Sequence, residues 1–550
     1  MFVPLASSVI FVAFVATVAS PAAAGAQGAH GAHAIPSVPQ EILERSIGLR
    51  TGIGVAPSAA TDPPARALVI QGWAFLHSYA WIDAARSFNE ALRLDPRLAR
   101  AHLGLSYAYE ELNKPEAARH ALERARALAT MAGDGFRRHV EVRTTQLQGD
   151  LTAYRAALDA ALESAATDTE LLLLRGMAES GSVADRGQGS TQASIPLYKR
   201  ALALNSSSAA AHHYLVHAYE NTGRIEQALA HAREYVRLAP AVPHAHHMLG
   251  HDLRRLGQIR QAIAEFRKAY ELETDRARIA EVPPVHDWHH QHNLDLLAAS
   301  HQYIGQVRTA EHFLRTSFEI PSALVIQAFN KHEWPAFLLA RGRTDEALTS
   351  ARILTTSPAG LVRAVGHVMT GRALLALRRF PEVAEASNTA LKELRASGPE
   401  ASLAAPHLQG LQAEFFLRTG KSDKALTMFR DVRRKFRALP GPDGWSQALF
   451  HLESIGRAAV AMGAWDVAEE TAADMMAHDH AYGGTQYLAA LVAECKGDRE
   501  AMIRHLHNAQ VAWRDAEAEF AELEDVRVRL AAGRKSGLPS PDVPPPAPCR

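Results

Sequence analysis

An interval of 34 residues recurs along this chain and limits what it can fold into. Ala84 and Ala118 are 34 residues apart, and Ser194, Ala228 and Ala262 repeat the spacing. Gly223 and Gly257 each stand five residues before one of these small residues. Further on, Gly305, Gly342, Gly420, Gly463 and Gly497 are followed at the same distance by Ala310, Ala347, Ala425, Ala468 and Met502. Between these marks the apolar residues keep a helical period. A pair of amphipathic helices cannot bury its apolar faces alone, so stacked pairs must share one continuous core. Glycine fits where the chain leaves the first helix with positive φ, and small residues fit where helices approach closely. The reading is an all-α solenoid of about 10 to 13 helical hairpins.

The stretch Trp73-Ala74-Phe75, Ala84, Phe88, Ala91 and Pro96, with its period, resembles the tetratricopeptide repeat family. The likeness covers most of residues 66–531 and implies a right-handed superhelix with a concave groove. Residues 66–320 read as a tetratricopeptide-like solenoid with a histidine-rich groove, 321–438 as degenerate repeats, and 445–532 as C-terminal helices of the same kind. Interruptions fall at 181–192, at 277–288 and at the joint 439–444. Residues 27–65, rich in Ala, Gly and Pro, read as a flexible linker, and the Pro-rich 533–550 as a disordered tail. The start, 1–26, reads as a signal peptide. Met1 to Val18 is almost wholly apolar without an acidic residue, and small residues follow. A secreted or periplasmic protein is expected, and no later run of the sequence is long and apolar enough to span a membrane.

Lys+Arg and Asp+Glu both number 59, and this balance argues against a general nucleic-acid binder. Two cysteines, Cys495 and Cys549, are too few for a disulfide framework or a cysteine-based zinc site. Histidine is the unusual residue: of 28 copies, 13 lie between His212 and His301.

Those histidines are phased. His213 and His217 form an i, i+4 pair, and His247 and His251 form another 34 residues later. Each pair projects from one helix face, one turn apart, on first helices expected to pack about 8–10 Å from each other. Counted from the turn glycines, the tetratricopeptide likeness puts these residues on the groove side. Leu215, Tyr219, Leu249 and Leu253 take the core positions. The next repeat supplies His292 and Asp295 on the same face, with His289 one turn earlier. His244 opens the second repeat's helix, and His332 counts to the same position further on. Imidazoles with one carboxylate suit a transition metal ion such as Zn, Cu, Fe or Ni. The expected metal set is His213, His217, His244, His247, His251, His292 and Asp295. Two other readings stay open: imidazoles that contact a protein or peptide ligand in the concave groove, and histidines without a specific role.

The strings AHHYLVHAYE (211–220), PHAHHMLGH (243–251) and HNLDLL (292–297) resemble a histidine-rich exported subset of bacterial tetratricopeptide proteins. The segment 75–96 extends the likeness and brings in His77, while Leu249-Gly250 departs from that subset's Pro-Ser or Pro-Ala. The likeness implies a site and no reaction. Other motifs carry less. Thr419-Gly420-Lys421-Ser422 lacks the earlier glycine of a phosphate loop, where Phe415 stands. Lys331-His332-Glu333 lacks the second histidine of a zinc-protease helix, and no Gly-x-Ser-x-Gly elbow occurs. Whether the chain is an enzyme stays open on these grounds.

Overall fold

The computed structural model describes residues 38–55, 62–183, 185–322, 324–439 and 441–535, and these form α-helices and short 3₁₀ turns with no strand among them. The leader 1–26 and residues 536–550 of the expected tail lie outside the described residues, while 533–535 still belong to the helix Ala521–Lys535. Helical hairpins follow one another from Pro64–His77 with Trp81–Leu94 to Gly483–Cys495 with Arg499–Ala512, and Ala521–Lys535 closes the stack. No helix among the described residues is long and apolar enough to cross a membrane.

The turn glycines do what the spacing asks of them. Gly223 and Gly257 both have φ of +73° between the two helices of their hairpins. Close approach is equally local. A Cβ on Gly250 would lie 2.5 Å from the Phe266 ring, so the aromatic of the second helix nests against bare backbone of the first. The helix Pro243–Arg255 therefore runs unbroken through Leu249-Gly250 to His251.

The interruption at 181–192 falls between helices ending at Met177 and starting at Ser194, whereas that at 277–288 shrinks to 281–287, because the helix Ile259–Ala280 runs on through 277–280 and Trp288 opens the next. The joint at 439–444 is shorter than its composition suggests. Gly441–Ala461 is already helix, because proline at the first turn lacks only an amide that has no helical partner there.

One expectation fails inside the segment read as linker. Residues 38–55 carry a short helix, Gln40–Glu44, and bury Leu43 completely and Ile42 and Ile53 almost so. A few isoleucines and leucines among Gly and Pro are enough to seat it. The segment straps the first hairpin to the sixth. Arg86 Nε donates to Ile42 O at 2.7 Å and Arg86 Nη2 to Ala280 O at 2.9 Å, while Ala241 N donates to Gly52 O at 2.8 Å. The inner wall of the fifth to seventh hairpins is thus covered by the protein's own N-terminal elements.

A candidate metal centre on the inner wall

Three first helices carry the phased histidines: Ala209–Asn221, Pro243–Arg255 and Trp288–Tyr303. Ser208 and Asp287 cap the first and third through their side chains, and Pro243 opens the second, so each start is fixed by its own sequence. Six of the seven expected residues come together with His289 in three fused triads. These are His213, His217 and His244; His244, His247 and His289; and His247, His251 and His292. Within each, the ligand atoms lie inside 4.8 Å of one another.

The rings are not open to a groove. His213, His244, His247 and His251 are between 0% and 5% exposed. The cover is aromatic. Tyr79 lies with its ring centre 4.7 Å from His213 and 4.9 Å from His244, and Trp288 stacks on Trp81 at 5.3 Å. Tyr79 stands where later hairpins have their turn glycine, and its φ is +58°. A bulky side chain in that conformation costs about 1–2 kcal/mol. The ring is placed against the imidazoles despite that cost, and its hydroxyl donates to Arg186 O at 2.7 Å.

Neighbours fix several tautomers. His213 Nδ1 donates to His77 O at 2.7 Å, so its Nε2 carries the lone pair in the neutral ring. Asn293 Nδ2 donates to Phe266 O, which turns Asn293 Oδ1 towards His247 Nδ1 at 3.2 Å and leaves His247 Nε2 free to ligate. His289 Nδ1 donates to the Glu273 carboxylate. This is the arrangement by which carboxylates orient metal-binding histidines. Burial pushes His213, His244 and His247 well below the ordinary histidine range, with neighbouring imidazoles adding to it, and pushes His217 down to about 4. Burial alone would raise Glu273, but His289 and His290 hold it down to about 2. His213, His217, His244 and His247 are therefore neutral nitrogen donors, with an ionised carboxylate behind the array.

Counting lone pairs shows what these donors lack. His213 Nε2 has one in-plane lone pair and two imidazole neighbours, His217 Nε2 at 3.0 Å and His244 Nε2 at 2.9 Å. One lone pair cannot accept from both. His244 is also shared, with its Nδ1 2.9 Å from His289 Nε2. A single cation among His213, His217 and His244 satisfies all three at once. With metal–nitrogen bonds of about 2.0–2.1 Å, ligands at right angles stand about 2.9 Å apart and tetrahedral ones about 3.4 Å. The spacings seen match the first.

Asp295 is the exception. Its Oδ1 accepts from Ser317 Oγ at 2.6 Å, on the second helix of its own hairpin, and it is in none of the triads. His77, drawn in by resemblance, serves through its carbonyl, while its ring bridges Tyr214 and Glu170. His212 and His246 sit on the opposite side, facing His231 and Glu265. His332 is outside this array. Sequence spacing understated two contributors, His289 and Tyr79. The first opens its helix a turn early, and the second is a turn residue whose neighbours come from distant repeats.

Models of the tetratricopeptide repeat match residues 81–132, 186–251 and 243–276. A solved tetratricopeptide repeat protein from Parabacteroides merdae aligns at 17% identity over 50% of this chain and 97% of that one, with a TM-score of 0.36. YrrB, described as a tetratricopeptide protein with an unusual peptide-binding site, aligns at 16% over 38% of this chain and 97% of its own, with a TM-score of 0.27. The anaphase-promoting-complex assembly Cut9–Hcn1 aligns at 11% over 85% and 90%, with a TM-score of 0.30. No curated protein matches the chain.

Proposed function

Taking the chain as a member of the tetratricopeptide repeat family, we propose that it holds transition metal ions on the inner wall of its solenoid. The ligands are His213, His217 and His244 at one end of the array. His247, His251, His289 and His292 form the other end. The observation that carries this is the single lone pair of His213 Nε2 set between two other ring nitrogens in a dry, aromatic enclosure. A neutral imidazole cluster without a cation leaves that contact unsatisfied, and a buried unsatisfied donor or acceptor costs about 1–3 kcal/mol.

Tetratricopeptide solenoids are interaction scaffolds as a class, with extended peptides or helices in the concave groove. A peptide seated on these imidazoles has no room here, because Tyr79, Trp81 and Trp288 already cover them. Ligands so enclosed suit tight retention of the ion better than exchange with a bulky substrate. The apolar leader supports export, so we place this retention outside the cytoplasm.

Cobalt(II) titration of the chelator-stripped, full-length protein tests the reading. Saturable visible absorption from a nitrogen-rich ligand field is expected in the wild type, and His213→Ala is expected to saturate at lower absorption with at least one equivalent of cobalt fewer. Identical titrations of the two proteins would sink the proposal.

A further inference from the structure

A second histidine cluster lies in the C-terminal half, apart from the array above. His332 precedes the helix Glu333–Ala340, His407 lies on Ala401–Arg418, and His451 on Gly441–Ala461. Their ligand atoms come within 4.8 Å of one another, and the three residues are 0%, 0% and 2% exposed. The rings meet edge to face: His332 and His407 at 4.6 Å and 82°, His407 and His451 at 4.5 Å and 90°. Phe329 and Phe436 pack around them and exclude water.

Two features point to a ligand. Neither ring nitrogen of the fully buried His407 has a hydrogen-bond partner. An imidazole stripped of water and given nothing in return is rare unless an ion takes its place. Moreover, His332 Nδ1 donates to Phe329 O at 2.8 Å, so Nε2 carries the lone pair of the neutral ring. That Nε2 lies 3.0 Å from Glu333 Oε1, which is 3.6 Å from His451 Nε2. A lone pair and a carboxylate oxygen at that distance repel, so the contact needs a positive charge there: a second proton on the ring or a cation.

We propose that His332, His407, His451 and Glu333 form a second transition-metal site, with three imidazole nitrogens and one carboxylate oxygen as ligands. Neutral imidazoles with one carboxylate suit borderline divalent ions such as Zn²⁺ or Fe²⁺. Glu333 also lines a cleft shared with Arg254, Asp295, Asn330, Ser446 and Gln447. The carboxylate side of the site is thus the side that water reaches, while the three imidazoles are walled by protein. Burial and the two other imidazoles push His407 well below the ordinary range, and burial pushes His451 down to about 3, so both are neutral donors. Arg372 is the opposing charge. It faces the cluster, and Glu414 and Glu333 attract it.

The test uses full-length protein in which His213→Ala and His247→Ala disable the first array. After Zn²⁺ loading and dialysis, elemental analysis is expected to find one ion per chain, and His407→Ala added to this background is expected to remove it. If the background protein folds but holds no zinc, or if His407→Ala leaves the content unchanged, the proposal is overturned. Glu333→Gln in the same background guards against a His407→Ala that fails to fold. It keeps the side-chain volume and is expected to weaken zinc about 10–100-fold in competition with a chromophoric chelator. Equal affinity in that assay overturns the assignment. Should the first array bind nothing, wild type and background protein would carry the same single ion, so the two claims fail separately.

Discussion

Acidification of metal-free protein should unfold it in a window set by its buried imidazoles. His217 is held down to about 4 and His451 to about 3, both chiefly by burial. The ordinary value, about 6.5, applies once the chain unfolds. The unfolded chain therefore takes up protons that the folded chain refuses. Their stabilising share is complete above about pH 6.5 and is lost as pH falls towards the folded values. At about pH 5 each of the two residues costs about 2 kcal/mol, since every pH step of one below the ordinary value is worth about 1.36 kcal/mol. His213, His244, His247 and His407 are depressed in the same direction and add to the loss. Against a typical total of about 5–15 kcal/mol, the sum is a large fraction. Urea midpoints followed by far-ultraviolet circular dichroism in chelating buffer, from about pH 7.5 to about pH 5, read this directly. His217→Gln should flatten the fall by its own share. A midpoint that does not move over that range, or a His217→Gln variant with the wild-type dependence, would refute the reasoning.

Other outcomes follow from single contacts. Tyr79→Gly should relieve backbone strain of about 1–2 kcal/mol yet speed metal loss to a chelator, because the ring that covers His213 and His244 is gone; an unchanged rate would deny the ring that role. Glu273→Gln should weaken metal binding about 10–100-fold by releasing His289 from its carboxylate, as measured by chelator competition; equal affinity would count against the orientation of His289. Gly250→Ala should destabilise the fold by about 1–3 kcal/mol, since the new methyl meets Phe266 at once; a melting temperature equal to wild type would show that the hairpin can open there.

What the sequence made legible was whatever is local or periodic. Turn glycines such as Gly223 and Gly257 could be located because each hairpin needs the same left-handed exit. His213, His217, His247 and His251 could be paired because an i, i+4 step and the repeat interval fix their relative placement. Asp295 was misplaced because spacing places a residue on a face without showing its partner, and Ser317 on the second helix of the same hairpin takes its carboxylate. The covering of the inner wall was hidden for a different reason. Residues 38–55 read as linker by composition, yet they strap the first hairpin to the end of the sixth through contacts such as Arg86 to Ile42 O and Arg45 to Glu281 O. His332, His407 and His451 escaped notice as a set because they belong to three separate hairpins and share no motif; Lys331-His332-Glu333 alone looked like an incomplete zinc-protease helix.

Metal content of the intact protein tests the central claim most directly. Full-length wild type and a His213→Ala, His244→Ala variant, purified without chelator and matched for helical content, go to elemental analysis side by side. The wild type should carry more transition metal per chain than the variant, by at least one ion. Equal content in the two folded proteins, whatever its level, would contradict the account.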